Sequence, residues 1–430
     1  MSHAAPSKTL APLTDAKLKA AFGQMAHPRD FRPFVPAQKA PPALNSTRHQ
    51  RTAEVMEGAF FQEQFALMTK AMEAPFVGVR FDGQEAAGTR TLAGNDAPIA
   101  EMTTAMRALQ AVLRPEIAAA VCLPSDAPAW RRWHNMPMAW PRDGLGLEEM
   151  NTAERDAVMA LLRSSLSQEG FATLQALLEI NRFSGELIGR EKYLNEFCYT
   201  VGLFGTPEDD AWGWQFYGHH ICLSCRVVGD TYVLSPTLLA AEPTVVDTGP
   251  KAGINAFIET EEAALDLIRG LAPDLQARAI VLPSILSGDV PAGRRHWADS
   301  LHLGGAFRDN QIIPAEGVCA QEFTPADKAR LMTLFETFFT ALPQGPGRAR
   351  RAEIEAHLDQ TWLVWMGGID DWSPFYIRLY SPVVLVELDH HQAVFLTNKE
   401  PARFHVHTIT RTPNGGDYGM DLVAKLRDTK

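Results

Sequence analysis

The sequence predicts an α+β fold in one large domain. Strand-like runs gather in two clusters, Trp212 to Thr237 and Phe375 to Thr410, whereas helix-period runs come in separate blocks. A doubly wound sheet would alternate the two kinds of run. Neither a Walker A loop nor a dinucleotide fingerprint is present between a strand and a helix. The expected organisation is a proline-rich extension over residues 1–50, then a single α+β domain over 51–430 with an antiparallel or mixed sheet.

The elements follow in order. Pro6, Pro12, Pro28, Pro33, Pro36, Pro41 and Pro42 interrupt every pattern in the extension except a short amphipathic stretch near Leu13 to Met25. Val55, Met56, Phe60, Phe61, Phe65 and Met68 recur at helical spacing between Glu54 and Ala74. Gly78, Gly83, Gly88 and Gly94 punctuate short apolar pieces, the mark of strands and turns, and a helix returns between Met102 and Ala111. Asn151 with Glu154 three residues on reads as a capping box, ahead of the stripe Val158, Leu161, Leu162 and Leu166. Phe171 to Ile180 continues as helix, and Thr324-Pro325-Ala326-Asp327 starts another. Trp212 to Val228 reads as one strand, joined to Tyr232–Thr237 by a hairpin at Gly229-Asp230-Thr231. Toward the C-terminus, strands are expected at 375–379, 382–388, 392–396 and 404–410.

Composition narrows the function. Of 430 residues, 40 are Lys or Arg and 51 Asp or Glu, a net charge of −11, against the basic surface that nucleic-acid binding needs. No apolar run approaches a membrane span of about 20 residues, and Met1 to Ala20 has no signal-like core. Five scattered cysteines make no disulfide framework. The expectation is a cytoplasmic protein with a small-molecule partner, no nucleic acid and no membrane; its oligomeric state is open.

Of the 13 histidines, six form three groups: His219-His220, His390-His391 and His405-Val406-His407. Residues two apart on a strand share a face, so His405 and His407 can converge on one ion. His219 and His220 would point to opposite faces of a regular strand, leaving one as ligand and one as support unless a bulge turns both inward. Glu387 closes the apolar run Val383 to Val386, where a carboxylate needs a compensating charge. It is a candidate ligand or base, or else a partner of Arg378 or Arg411. Cys222 and Cys225 make one Cys-x-x-Cys pair without the second that a zinc site needs, and read as small buried residues.

Several uncommon blocks then occur in one order: Leu203-Phe204-Gly205-Thr206-Pro207, Trp212-Gly213-Trp214-Gln215, Gly218-His219-His220, Ala241-Glu242-Pro243, Trp365-Met366-Gly367-Gly368, Glu387-Leu388-Asp389-His390, His405-Val406-His407-Thr408 and Asp417-Tyr418-Gly419. From about Phe60 onward the chain resembles the bacterial and fungal family of unknown function numbered 3500. The resemblance implies that the histidine blocks and the Glu-x-Asp-His block form one pattern; it implies no reaction.

The functional expectation is a metal-dependent enzyme acting on a small or medium polar organic substrate. His219, His220, His405, His407 and Glu387 are the candidate ligands of a divalent transition metal, whether zinc, iron, copper or manganese. Glu387, Asp389 and Arg411 are candidate catalytic groups, and Trp212, Trp214, Gln215, Arg378 and His390 candidate substrate contacts. Hydrolysis is favoured over metal-dependent oxidation. The alternative is a non-catalytic binding protein with an aromatic pocket and structural histidines.

Overall fold

A computed structural model describes residues 13–81, 90–141 and 143–429. Gly83 and Gly88, expected in turns, lie outside the described residues, as do Pro6 and Pro12. The fold is α+β, built on one large sheet. Eight long strands dominate it: β1 (Tyr199–Phe204), β2 (Ala211–Gly218), β3 (Ile221–Val228), β4 (Thr231–Ala241), β5 (Trp362–Gly367), β6 (Phe375–Tyr380), β7 (Leu385–His390) and β8 (Val406–Arg411). Their spatial order is β5-β6-β7-β8-β4-β3-β2-β1, antiparallel throughout. Two four-stranded meanders, one from each strand cluster, therefore meet edge to edge through β4 and β8. Short strands at Cys122–Leu123, Leu145–Gly146, Ile280–Leu282 and Val318–Cys319 complete the sheet of 12 strands.

The strand expected over Trp212 to Val228 is two strands. Gly218 pairs with Ile221, so His219 and His220 are the two central residues of a hairpin turn. His220 has φ +68°, a left-handed conformation that costs a residue with a side chain about 1–3 kcal/mol. No strand forms over 392–396; residues 391–405 cross irregularly from β7 to β8. The helix expected over 54–74 is broken at Glu57-Gly58 into Arg48–Met56 and Ala59–Glu73.

The two capping signals do what their spacing implies. Asn151 Oδ1 accepts the Glu154 N–H at 3.0 Å and Glu154 accepts the Asn151 N–H at 2.8 Å, opening α1 (Thr152–Ser165). Thr324 and Asp327 cap the helix Pro325–Phe338 in the same reciprocal way.

Helices cover one face of the sheet. Against β1–β4 pack Val158, Leu161 and Leu162 of α1, with Leu174, Leu177 and Phe183 of α2 (Gln168–Ile188). Against β5–β8 pack Ala264, Leu267 and Ile268 of α3 (Ile258–Gly270), with Leu331, Leu334 and Phe335 of Pro325–Phe338. The opposite face is covered by irregular chain carrying Trp130, Trp133 and Phe307, which meet Tyr217, Leu238 and Ile409. Burying both faces explains why all eight residues of β2, β3 and the centre of β4 are buried without alternation. The proline-rich segment also packs down: Phe34 lies against Phe404, ring centroids 5.4 Å apart, and Arg29 pairs with Glu261. No helix among the described residues is long and apolar enough to cross a membrane.

Candidate functional site

The irregularly covered face carries the site. Residues 407, 409 and 411 share this face of β8, with His405 just ahead of its first residue, and β7 places Asp389 opposite His407 and Glu387 opposite Ile409. The β2–β3 turn reaches the same point from the other meander, because the Ala240 N–H donates to the His220 carbonyl at 2.8 Å. His220, His405 and His407 converge there, with one ring nitrogen from each within 4.8 Å of the others. His405 Nε2 and His407 Nε2 are 3.0 Å apart. Tetrahedral zinc, with bonds of about 2.05 Å, would hold two nitrogens about 3.3 Å apart, so the spacing suits a shared cation.

Surrounding groups orient each ring. The Gln392 carbonyl lies 2.7 Å from His405 Nδ1; as an obligatory acceptor it fixes the proton there and leaves Nε2 a lone pair aimed inward. Asn135 meets two of these histidines: its side-chain amide lies 3.2 Å from His407 Nδ1, and its backbone carbonyl accepts the His220 N–H at 3.2 Å. His219 stacks on His220 at 3.7 Å between centroids, with Nδ1 held 2.8 Å from Asn181 Oδ1. Burial, then mutual repulsion, pushes His220 and His407 well below the ordinary histidine range. His405 is low for the same reasons, against the Gln392 carbonyl. Burial lowers His219 to about 3. All four are neutral near pH 7, the form a metal requires.

Glu242 stands behind His405, its carboxylate 3.8 Å from Nδ1. Burial pushes it up to about 7, against the backbone N–H groups of Val394, Leu396 and Phe395, which it accepts. Its second task is thus to hold the 391–405 crossing in place.

A cavity of about 600 Å³ opens onto His219, His220, His391 and His407. Phe60, Phe61, Tyr193, Phe395 and Trp297 line it, with Arg51 and Arg190 as its cations. Phe60 and Trp297 make an edge-to-face contact at 5.6 Å, and both are partly exposed at the mouth. Here His391 faces the cavity, stacked on His407 at 3.8 Å and 10°, its Nε2 3.3 Å from Asp389 Oδ2.

The remaining expected residues sit elsewhere. Glu387 shares the face but does not join the three histidines. Its carboxylate accepts the N–H groups of Leu303 (2.8 Å) and Gly304 (2.7 Å) and the hydroxyl of Tyr376 (2.5 Å), which satisfies the buried charge locally. Arg411 is fully buried between Asp309 and Asp417, at 2.5 and 2.7 Å, and holds the C-terminal segment to the sheet. Arg378 bonds Glu316 at 3.0 Å. Trp212 and Trp214 belong to the helix-covered core, where Trp214 Nε1 donates to Ser165 Oγ, so neither lines the cavity. Gln215 is consumed by the Trp130 carbonyl and Ser224. His390 faces the helices, with Nδ1 at the Phe375 backbone and Nε2 2.8 Å from Glu261. Cys222 and Cys225 are buried, their thiols pushed up by burial.

The profile of one family, described as "Protein of unknown function (DUF3500)", matches residues 95–420. The chain belongs to this family. Searches among curated proteins and among solved structures gave no match. The three converging histidines, with His391 and Asp389, all fall inside the DUF3500 span, whereas Arg51, Phe60 and Phe61 of the cavity wall precede it.

Sequence reasoning misses Asn135, Glu242, the role of His391, and His302, whose buried ring lies 5.9 Å from His391 and 6.3 Å from His407 between centroids. His391 stands in a histidine pair beside the candidate His390, whereas Glu242 stands in the Ala241-Glu242-Pro243 block, from which no candidate is drawn. Asn135 and His302 lie in irregular segments with no periodicity to mark them. The available signal was histidine and acid density: Arg295-His296-Trp297-Ala298-Asp299-Ser300-Leu301-His302 is unusual for a long connection, and long ordered connections are often functional.

Proposed function

We propose that this protein is a metal-dependent enzyme, with His220, His405 and His407 holding one divalent transition metal and hydrolysis as the reaction. The observation that carries this reading is the convergence of three buried neutral imidazoles from two separate meanders, two of which, His220 and His407, line a cavity. Three protein nitrogens leave open coordination, and zinc, iron, copper or manganese bound so would act as a Lewis acid and lower the pKa of a bound water.

The chain's own groups complete the chemistry. His391 lines the cavity beside His407 and, with Asp389 3.3 Å from its Nε2, forms an imidazole–carboxylate pair able to receive a proton. Burial would raise the Asp389 carboxyl, but His391 and His302 outweigh it and hold it below the usual range, so it stays an anion behind the ring. The aromatic walls exclude water from an apolar body, and Arg51 and Arg190 suit an anionic group at one end. The substrate class is therefore a small or medium organic molecule with an aromatic or apolar body and an anionic group, carrying an ester or amide.

The test uses protein purified without a histidine tag, stripped with chelator, and reloaded separately with zinc, iron(II), copper or manganese. A panel of aryl esters and amides bearing a carboxylate should be turned over by a loaded form only, and His220→Ala should lose both bound metal and turnover. Stoichiometric ligand binding with no metal uptake under any of the four conditions contradicts the reading and favours a binding protein.

A further inference from the structure

The cavity is cationic in an acidic protein. Its permanent charges are Arg51 and Arg190, and no aspartate or glutamate lines it among the described residues. Over the whole chain, acidic residues outnumber basic ones by 51 to 40. The two arginines are not equivalent. Arg51 Nη1 lies 2.9 Å from Glu54 Oε2, an exposed pair that answers part of its charge. Arg190 makes no ion pair among the described residues; Nη1 donates to the Leu44 carbonyl at 3.1 Å, a neutral partner. The other N–H groups of its guanidinium fork have no hydrogen-bond partner among the described residues, so they are available to a ligand.

A strap from the proline-rich segment holds Arg190 in place. Gly189 ends α2 with φ +74°, and a Cβ there would come within 2.9 Å of Lys39 Cβ, so glycine lets residues 39–45 lie across the helix end. The Ala40 N–H donates to the Ile188 carbonyl at 2.8 Å, meeting a carbonyl that the helix end leaves open. Asn45 holds the next two residues with both ends of its amide: Nδ2 donates to Glu191 Oε2 and Oδ1 accepts the Lys192 N–H, each at 2.9 Å. With the Leu44 carbonyl on the guanidinium itself, backbone and fork of Arg190 are both fixed. The strap lies ahead of the DUF3500 span, whereas Arg190 lies within it.

From this turn a line of rings leads to the histidine centre. The Tyr193 N–H donates to the Arg190 carbonyl at 2.9 Å. The Tyr193 ring meets Phe395 at 6.0 Å between centroids, Phe395 meets His219 at 5.4 Å, and His219 stacks on His220. The 190–193 turn and the three histidines thus stand at opposite ends of an aromatic wall, which suits an apolar spacer.

We propose that Arg190, presented by the strap at residues 40–45, is the residue that selects a ligand bearing a carboxylate, with the ligand's apolar body along the rings and its reacting part at the histidines. One guanidinium fork matches one carboxylate in a bidentate pair. Arg51, already shared with Glu54, is secondary. This selection rests on the substrate reading above but not on a bound metal, so the two can fail separately.

The experiment is calorimetric titration of the full-length, tag-free, chelator-stripped chain with ω-phenylalkanoates of increasing length and their matching primary amides. The wild type should bind at least one acid of the series about 10-fold or more tighter than its amide. Arg190→Met should bind acid and amide alike while keeping the amide affinity of wild type, which also shows that the cavity is intact. Arg190→Lys should restore part of the preference, Asn45→Ala should lose part of it, and Arg51→Met should keep most of it. A preference that survives Arg190→Met overturns the assignment, as does amide affinity lost together with acid affinity in that variant. Binding of the acids only after zinc is restored would put the carboxylate on the metal and overturns it too, as would no binding by any member of the series. Acid preference at Arg190 in a wild type that takes up no zinc sustains this inference and overturns only the metal reading.

Discussion

His390 and His391 are neighbours in sequence and opposites in circumstance. His390 faces the helices with both ring nitrogens engaged, one at the Phe375 backbone and one at Glu261, which also binds Arg403 at 2.8 Å and pairs with Arg29. His391 faces the irregular side, stacked on His407, its Nε2 3.3 Å from Asp389 and without a well-formed hydrogen bond among the described residues. The first sits in a closed network where every charge is met, and that is what a structural histidine looks like. The second sits among groups left unmet, which is what a site looks like before its ligand arrives. One sheet therefore keeps its polar groups on both faces, but only one face leaves them available.

Breaking the closed network should have the largest effect. Glu261→Gln leaves Arg403 and Arg29 without their carboxylate and should cost about 3–5 kcal/mol in urea unfolding, with metal content per folded molecule unchanged. Burial raises the Glu261 carboxyl, but His390, Arg403 and Arg29 together bring it down to about 2. A carboxyl so depressed stabilises the fold above its unfolded value of about 4.5 and loses that contribution as pH falls toward 2, a span worth about 3 kcal/mol. Wild type should weaken over that acid range more steeply than Glu261→Gln; parallel pH profiles for the two would refute the role given to this network.

The neighbouring histidines sharpen the contrast. His390→Ala should cost about 2–3 kcal/mol, since it strands Glu261 and the Phe375 backbone, and should leave turnover per folded molecule intact. His391→Ala should shift stability by less than about 1 kcal/mol, yet lower turnover by about 10²–10⁴-fold with the metal retained. The reverse pattern would mean that the two faces have been assigned the wrong way round.

How far the sequence revealed this depends on what each signal can report. The convergence of His405 and His407 was legible because strand period two puts alternate residues on one face. The distance between Trp212 and the cavity was not, because β2 is buried on both faces and alternation cannot say which face holds the cavity. His219-His220 read as mid-strand because β-forming residues lie on both sides, with Gly218 the one break beside the pair; the positive φ of His220 turns the chain there. Glu387 was correctly marked as a buried charge needing compensation, but its partners, the Leu303 and Gly304 amides and Tyr376, come mainly from a segment with no pattern to place it. Helix starts at Asn151 and Thr324 were plain because capping is local. The site was partly hidden because Asn135 and His302 reach it from irregular chain.

The central claim is that His220, His405 and His407 share one metal, and a crystal of the zinc-loaded protein measured above and below the zinc absorption edge tests it most directly. The account predicts an anomalous peak about 2.0–2.1 Å from a nitrogen of each of the three rings, with the Gln392 carbonyl still on His405 Nδ1. Zinc bound to the chain with no anomalous peak among these three rings would contradict it.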